Sequence, residues 1–246
     1  LVRGQAIDVP SVPDTAAAPN RQGGSPAAEL LPLEAGERIL GLGTLGEGTF
    51  GWALGTLRGV VKRVNPEVIG KEAWDIIRLE DGDEVVGAVE LVHDLVEFVF
   101  VTSDGQLLRF PAAGVRPQGR SGGGMAGIKL SPGARVVFFG ATPTADSSVV
   151  TVAGSSAALP GTDAGSVKVT PLAEYPGKGR ATGGVRCHRF LKGEDGLLLA
   201  WAGPDPAIAA AASGTPIDLP EADPRRDMSG VPVVQPVAAI GSRYHA

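Results

Sequence analysis

GQLLRFPAAGVRPQGRSGGGMAGIKL, residues 105–130, opens on a glycine and runs through a short apolar strand. It then enters a loop of glycine and arginine and leaves it by a second strand. A variant occupies residues 165–191, GSVKVTPLAEYPGKGRATGGVRCHRFL. Arg120 and Arg180 stand sixty positions apart in matching frames, Gly123-Gly124 falls opposite Gly183-Gly184, and Lys129 falls opposite Arg189. Self-similarity of this kind marks a repeat architecture. Further glycine-plus-strand starts occur at Gly4 (GQAIDV), Gly59 (GVVKRV) and Gly214 (GTPIDL). The spacing, roughly 50 residues, is that of propeller blades.

The rest of the 246-residue chain keeps this rhythm. Its 36 glycines and 20 prolines favour many short elements over long helices. The clearest hairpin is residues 95–110: LVEFVFVT is an apolar strand buried on both faces, Ser103-Asp104-Gly105 is the turn, and QLLRFP returns. A strand at 83–91 (DEVVGAVEL) leads into it, and VVFFGAT (136–142) leads in the same way into SVVTVAG (148–154) and the Gly165 strand. A blade is therefore expected to be four short antiparallel strands taken in chain order. Residues 207–212 (AIAAAA) have helical propensity, but their place before the Gly214 turn argues for a strand. Residues 12–26 read as a long loop, Trp74 as a packed residue in the second unit's loop, and the tail after Ile240 as frayed. No domain boundary is visible. The expectation is one all-β domain over residues 1–246, a propeller-like disc of about five four-stranded antiparallel blades with repeat starts near 4, 59, 105, 165 and 214.

Net charge is −5, which taken whole argues against a nucleic-acid binder. The distribution argues the other way. Residues 105–130 carry Arg109, Arg116, Arg120 and Lys129 with no acid, and residues 165–192 carry Lys168, Lys178, Arg180, Arg186, Arg189 and Lys192 against Glu174 alone. These two segments hold ten of the 22 basic residues and one of the 27 acidic ones. Partition of this kind steers a polyanion more than the sum repels it. Arginine keeps its charge and donates in a forked geometry suited to phosphate oxygens, and flanking glycines let a backbone come close. One such loop per blade would set several phosphate contacts around a rim and bend a duplex rather than read its bases.

Other chemistry is weakly signalled. Gly122, Gly124 and Gly127, and again Gly41, Gly43 and Gly46, spell G-x-G-x-x-G, but neither set leads into a helix as a dinucleotide site requires. Their glycines are read as backbone geometry. Cys187 and His188 are strand neighbours pointing to opposite faces, a small buried residue beside a surface one, and cannot act as a nucleophile–base pair. The single cysteine excludes an intrachain disulfide and fits a reducing compartment. No run of about 18 apolar residues spans a membrane, and LVRGQAIDVP lacks the layout of a signal peptide.

Three stretches resemble the C-terminal domain of the A subunits of bacterial type IIA topoisomerases, DNA gyrase and topoisomerase IV: ELLPLEAGERI (29–39), residues 100–130, and TPLAEYPGKGRATGGVRCHRFLKGED (170–195). The resemblance runs over essentially the whole chain. It implies a β-pinwheel with a basic outer edge that binds and bends double-stranded DNA. It implies a parent enzyme using ATP and Mg through a partner B subunit, in the cytoplasm at the nucleoid, with no cofactor and no catalytic residue in this domain. The family's nucleophilic tyrosine lies upstream, and Arg243-Tyr244 does not match its motif. The gyrase string Q-R-R-G-G-K-G is absent from the 246 residues, with Arg21-Gln22-Gly23-Gly24 only a partial echo. Unit two lacks the basic loop and unit five (DPRRDMSGV) is eroded, so the chain looks more like the topoisomerase IV protein of this family, of the actinobacterial kind. The alternatives are a gyrase wrapping domain whose box-bearing blade precedes residue 1, and a propeller that serves as a protein-interaction platform. Carried over residue by residue, the DNA-facing candidates are Lys62, Arg63, Arg109, Arg116, Arg120, Lys129, Lys168, Lys178, Arg180, Arg186 and Arg189, with Arg225 and Arg226 weaker. Strand alternation means that Lys62 and Arg63 cannot both face outward.

Overall fold

The computed structural model describes residues 1–2, 27–31, 33–44, 48–67, 69–93, 95–159 and 162–242. The repeat start at Gly4, the loop 12–26 and Arg243-Tyr244 lie outside the described residues. Among the described residues there is no α-helix, only three short 3-10 turns at Ala27–Glu29, Ala112–Gly114 and Leu172–Glu174.

One pattern repeats. β1 (Trp52–Thr56) and β2 (Val60–Val64) form a hairpin, and β3 (Val85–Glu90) returns to pair antiparallel with β1. The next hairpin is β4 (Glu97–Thr102) and β5 (Gln106–Pro111). Its chain then leaves its own sheet. β6 (Pro117–Gln118) and β7 (Met125–Ala126) both pair with the free edge of β2, the first parallel and the second antiparallel. Only afterwards does β8 (Val136–Thr142) come home to pair with β4. The third hairpin, β9 (Ser147–Gly154) and β10 (Ser166–Pro171), sends β11 (Val185–Arg186) to the edge of β5 before β12 (Gly196–Pro204) closes on β9. The fourth, β13 (Ala207–Ala210) and β14 (Pro216–Ile217), sends β15 (Val231–Pro232) to the edge of β10 before β16 (Ala239–Ser242) closes on β13.

Two readings are therefore corrected. The strands at 83–91 and 136–142 do not lead the hairpins that follow them. They close the sheets of the hairpins before them. The outermost strand of a sheet, moreover, belongs to the following repeat. Pairing of chain neighbours is the default, whereas the exchange here pairs residues more than 60 positions apart. Of the tail after Ile240, Gly241 and Ser242 are not frayed but pair with Ile208 and Ala207, and the remainder lies outside the described residues. The run at 207–210 is a strand, and Trp74 is buried, as the sequence suggested.

The sheets of β4 and β9 are packed between neighbours, which is why these two strands read as near-continuous apolar runs and are buried along nearly their whole length. Phe98, Phe100, Phe110 and Phe139 form the aromatic cluster between the first two sheets, with ring centroids 4.8–6.2 Å apart. Gly55 in β1 is what admits it: a Cβ there would sit 2.1 Å from Phe139 Cγ. Val99, Leu107, Leu172 and Tyr175 fill the second interface, and Val150, Val152, Val167 and Val169 the third.

The exchanged strands arrive by one device. Met125 pairs with Val61, Val185 with Leu107 and Val231 with Val167, each target two residues after a repeat's opening glycine. The residue before each arriving strand is a glycine: Gly124, Gly184 or Gly230. Gly184 has φ +74, and a Cβ on it would lie 2.3 Å from the carbonyl oxygen of Leu107. Left-handed backbone and a main-chain clash both exclude a side chain there. Gly184→Ala is expected to lower the unfolding free energy by about 3 kcal/mol in denaturant titration. Gly179→Ala, whose methyl would meet nothing within 4 Å, is the control and should shift it by less than about 0.5 kcal/mol.

Candidate nucleic-acid interface

The travelling loops put the repeated cations on the outside. Arg116, Arg120, Lys129, Lys178, Arg180, Arg186 and Arg189 are all exposed. Two of them also brace the loops. Lys178 Nζ donates to the Gly184 carbonyl at 3.0 Å, and Arg180 donates to the Ala126 carbonyl of the neighbouring loop at 3.1 Å.

The strand cations behave differently. Lys62, Arg63 and Lys168 were expected at the surface and are 0%, 6% and 3% exposed. Strand alternation does put Lys62 and Arg63 on opposite faces, but both faces of β2 are covered by packed neighbours. Lys62 Nζ donates to the carbonyls of Ile76 (2.6 Å), Arg120 (2.8 Å) and Gly122 (2.7 Å). Lys168 Nζ donates to Thr170 Oγ1 (2.6 Å) and to the carbonyls of Cys187 (3.2 Å) and Arg226 (2.8 Å). Burial lowers the pKa of both lysines, Lys168 to about 8. Arg63 donates to the Ala112 carbonyl. Arg109 is half-buried, paired with Glu97 at 2.7 Å and donating to the Tyr175 carbonyl at 2.6 Å. Arg225 is exposed but engaged by Asp223 through two side-chain hydrogen bonds.

Adjacent loops are stitched together at equivalent points. Lys129 N–H donates to the Thr182 carbonyl, and Arg189 N–H to the Met228 carbonyl. The same bond at the first junction runs from Arg78 N–H to the Gly122 carbonyl. Arg78 is thus the structural counterpart of Lys129 and Arg189, exposed like them, and the sequence reading missed it because unit two has no G-R…G-G loop. The available signal was the tetrapeptide after the loop. Ile76-Ile77-Arg78-Leu79 matches Gly127-Ile128-Lys129-Leu130 and Cys187-His188-Arg189-Phe190. Each is followed by a positive-φ glycine at the same offset, Gly82, Gly133 or Gly193. An open groove lined by Asp75, Ile77, Arg78, Arg120 and Ser121 lies between the two cations of this junction.

The structure also disposes of a nucleophilic Cys187. Burial pushes its thiol up to about 12, so no thiolate forms at neutral pH. Its neighbour is not a surface residue as expected. His188 is 1% exposed, its Nε2 accepts the Gly230 N–H at 3.2 Å, and its Nδ1 pairs with Thr151 Oγ1 at 2.8 Å. An acceptor Nε2 requires the proton on Nδ1, so the imidazole is neutral and is a structural part of the last loop. Among the described residues, no group of three or more His, Cys, Asp or Glu side chains could hold a metal ion, and no helix is long and apolar enough to cross a membrane.

Sequence and structure comparisons agree with this architecture. The family described as DNA gyrase C-terminal domain, beta-propeller, matches residues 76–90, 97–143 and 161–195. The A subunit of DNA gyrase from Escherichia coli K12 is 35% identical over 170 residues, covering 66% of this chain and 18% of that protein. Topoisomerase subunit TopoM of Mycolicibacterium smegmatis is 43% identical over 100 residues, 41% of this chain and 13% of that protein. The chain thus spans under a fifth of the length of these relatives. Among solved structures, the C-terminal domain of DNA topoisomerase IV superposes with a TM-score of 0.71 over 89% of this chain and 70% of that one, at 20% identity. The DNA gyrase A C-terminal domain gives 0.66 over 89% and 74%, at 18% identity.

Burial holds the His188 pKa down at about 4 against an ordinary 6.5, with the Glu194 charge opposing it. Between these values the unfolded chain binds the extra proton, so stability is present above pH 6.5 and declines as pH falls towards 4. The loss at the lower end should be on the order of 3 kcal/mol. Denaturant titrations from pH 7 to 4 should show it, and His188→Gln should flatten that part of the profile.

Proposed function

We propose that this chain, a C-terminal β-pinwheel domain of the gyrase A and topoisomerase IV A type, holds and bends double-stranded DNA along the row of junctions between its sheets. The observation that carries this reading is the repeated pairing of an exposed cation after one loop with an arginine on the next: Arg78 with Arg120, Lys129 with Arg180, Arg189 with Arg226. Each pair is set by the same backbone bond. Cations repeated at equivalent backbone positions suit phosphates and carry no base readout. In this reading a duplex bends to reach successive junctions, and the extra phosphate contacts offset the elastic cost. Arg116, Lys178 and Arg186 extend the track. The first junction is the weakest, because its turn carries Glu80, Asp81, Asp83 and Glu84 beside Arg78.

In this reading the domain is a non-catalytic part of a cytoplasmic, nucleoid-associated A subunit. The strand-passing tyrosine, and the ATP and Mg used through a B subunit, belong to the rest of that enzyme. The missing Q-R-R-G-G-K-G string and the loss of the unit-two loop favour a protein of the topoisomerase IV kind, and the 43% match to an actinobacterial topoisomerase favours that lineage. A gyrase-type wrapping domain is the alternative. Circles closed by ligase on the bound domain distinguish them, since strong chiral wrapping would exclude the topoisomerase IV-like reading. A protein-interaction platform is a second alternative, favoured by Leu42, Val92 and Leu95, which are 71–86% exposed.

The test is duplex binding against salt concentration. Affinity should fall steeply with salt and depend little on sequence. Replacing Arg120 and Arg180 together by alanine should reduce the salt slope by about two, and adding Arg78→Ala by about one more. A slope unchanged by these substitutions removes the junction cations from the interface. Absence of binding at low salt removes the function.

A further inference from the structure

We infer that Lys62 and Lys168 are positioning residues: each is a buried clamp whose single ammonium ties two adjacent rim loops together, and neither contacts nucleic acid itself. The inference rests on the DNA-binding reading only for its consequence, not for the clamp. The two lysines hold equivalent atoms. Aligned by the loop stitches, Ile76 corresponds to Cys187, each two residues before an exposed rim cation, Arg78 or Arg189. Arg120 likewise corresponds to Arg226. Lys62 donates to the carbonyls of Ile76 and Arg120, and Lys168 to those of Cys187 and Arg226. A third donor goes to the Gly122 carbonyl in one case and Thr170 Oγ1 in the other. All three N–H groups of each ammonium are therefore used, and none of the acceptors is a carboxylate.

Burying a cation is costly unless its donors are all satisfied. Main-chain carbonyls at a loop junction supply that satisfaction only if the loops hold one conformation. The charge and the loop geometry thus stabilise each other. The middle junction shows what replaces the clamp. There the strand position is Leu108, fully buried in the aromatic core. The carbonyl equivalent to those of Ile76 and Cys187 is that of Gly127, and it accepts the N–H of Ala181 instead. Ala181 reaches it by adopting φ +64, a left-handed conformation unusual for alanine. Where a lysine is present the ammonium bridges the two loops; where it is absent the backbone closes the gap itself.

Lys62→Met and Lys168→Met keep side-chain length and remove the donors. In the free 246-residue chain, Lys62→Met should accelerate amide hydrogen exchange at Arg78 and Gly124 at least about tenfold, leaving Lys129 and Arg189 unchanged. Lys168→Met should accelerate Arg189 and leave Arg78 and Lys129 unchanged, and so gives the same test at a second site if the first variant does not fold. With a 20-base-pair duplex as probe, Lys62→Met should weaken binding about tenfold in the otherwise native chain and by less than twofold when Arg78 and Arg120 are already alanine. Unchanged exchange, or acceleration spread evenly over all three junctions, overturns the clamp. An equal loss of affinity in both backgrounds also overturns it, because that is the behaviour of an independent DNA contact. Local acceleration in a chain that binds no duplex supports the clamp and overturns the DNA-binding function.

Discussion

The constraint on which this structure depends is the free edge of each hairpin's return strand. β2, β5 and β10 each present a row of unpaired backbone groups after pairing with their hairpin partner, and such edges invite aggregation unless covered. The chain covers each with a short strand from the following repeat. Everything on the rim follows from that. The loop must travel out and back, so it is long. It must pass over a neighbour's backbone, so it needs a glycine before the arriving strand. Having crossed to the outer edge, it presents its remaining side chains to solvent, and there the arginines lie. Among the described residues, β14 is the return strand with no such cover.

Interlocking also explains where polar groups are buried. A loop laid across an adjacent sheet takes part of its backbone out of water, and each carbonyl so covered needs a donor. Lys62, Lys168, Arg63 and Arg109 supply donors from the strands beneath, and His188 accepts the Gly230 N–H from the loop above. These side chains look functional in a sequence because they are charged or titratable. In the fold they do the work that main-chain ladders do elsewhere. Buried cations and backbone bonds hold the loops that carry the exposed cations.

The three junctions are variants of one solution. Two use a lysine, and the middle one uses a left-handed alanine with a leucine in the lysine's place. The middle junction sits over the aromatic interface built by Phe98, Phe100, Phe110 and Phe139, and Leu108 belongs to that interface. An apolar side chain there adds to the core what it removes from the loop. The first junction differs in the other direction. It keeps the lysine but lacks the glycine–arginine loop of its own unit, so Arg78 is placed by its backbone bond to Gly122 and by the tetrapeptide it shares with the other junctions.

The sequence by itself determined the repeat, its phase and its turns. Gly59, Gly105, Gly165 and Gly214 all have positive φ at hairpin turns, and a glycine requirement is local, so it survives in one sequence without an alignment. It also determined which loops are basic, because Arg120 and Arg180 stand in matching frames whatever surrounds them, and it carried the resemblance to the gyrase and topoisomerase IV domains. Only the tertiary structure decided which strands share a sheet, since exchange pairs residues such as Met125 and Val61 that nothing local connects. Only it decided which cations face water. A lysine on a strand is ordinarily at the surface, and Lys62 and Lys168 are inside because a loop from another repeat lies over them. Period and turn chemistry are properties of neighbouring residues, whereas burial is a property of whatever the rest of the chain places on top.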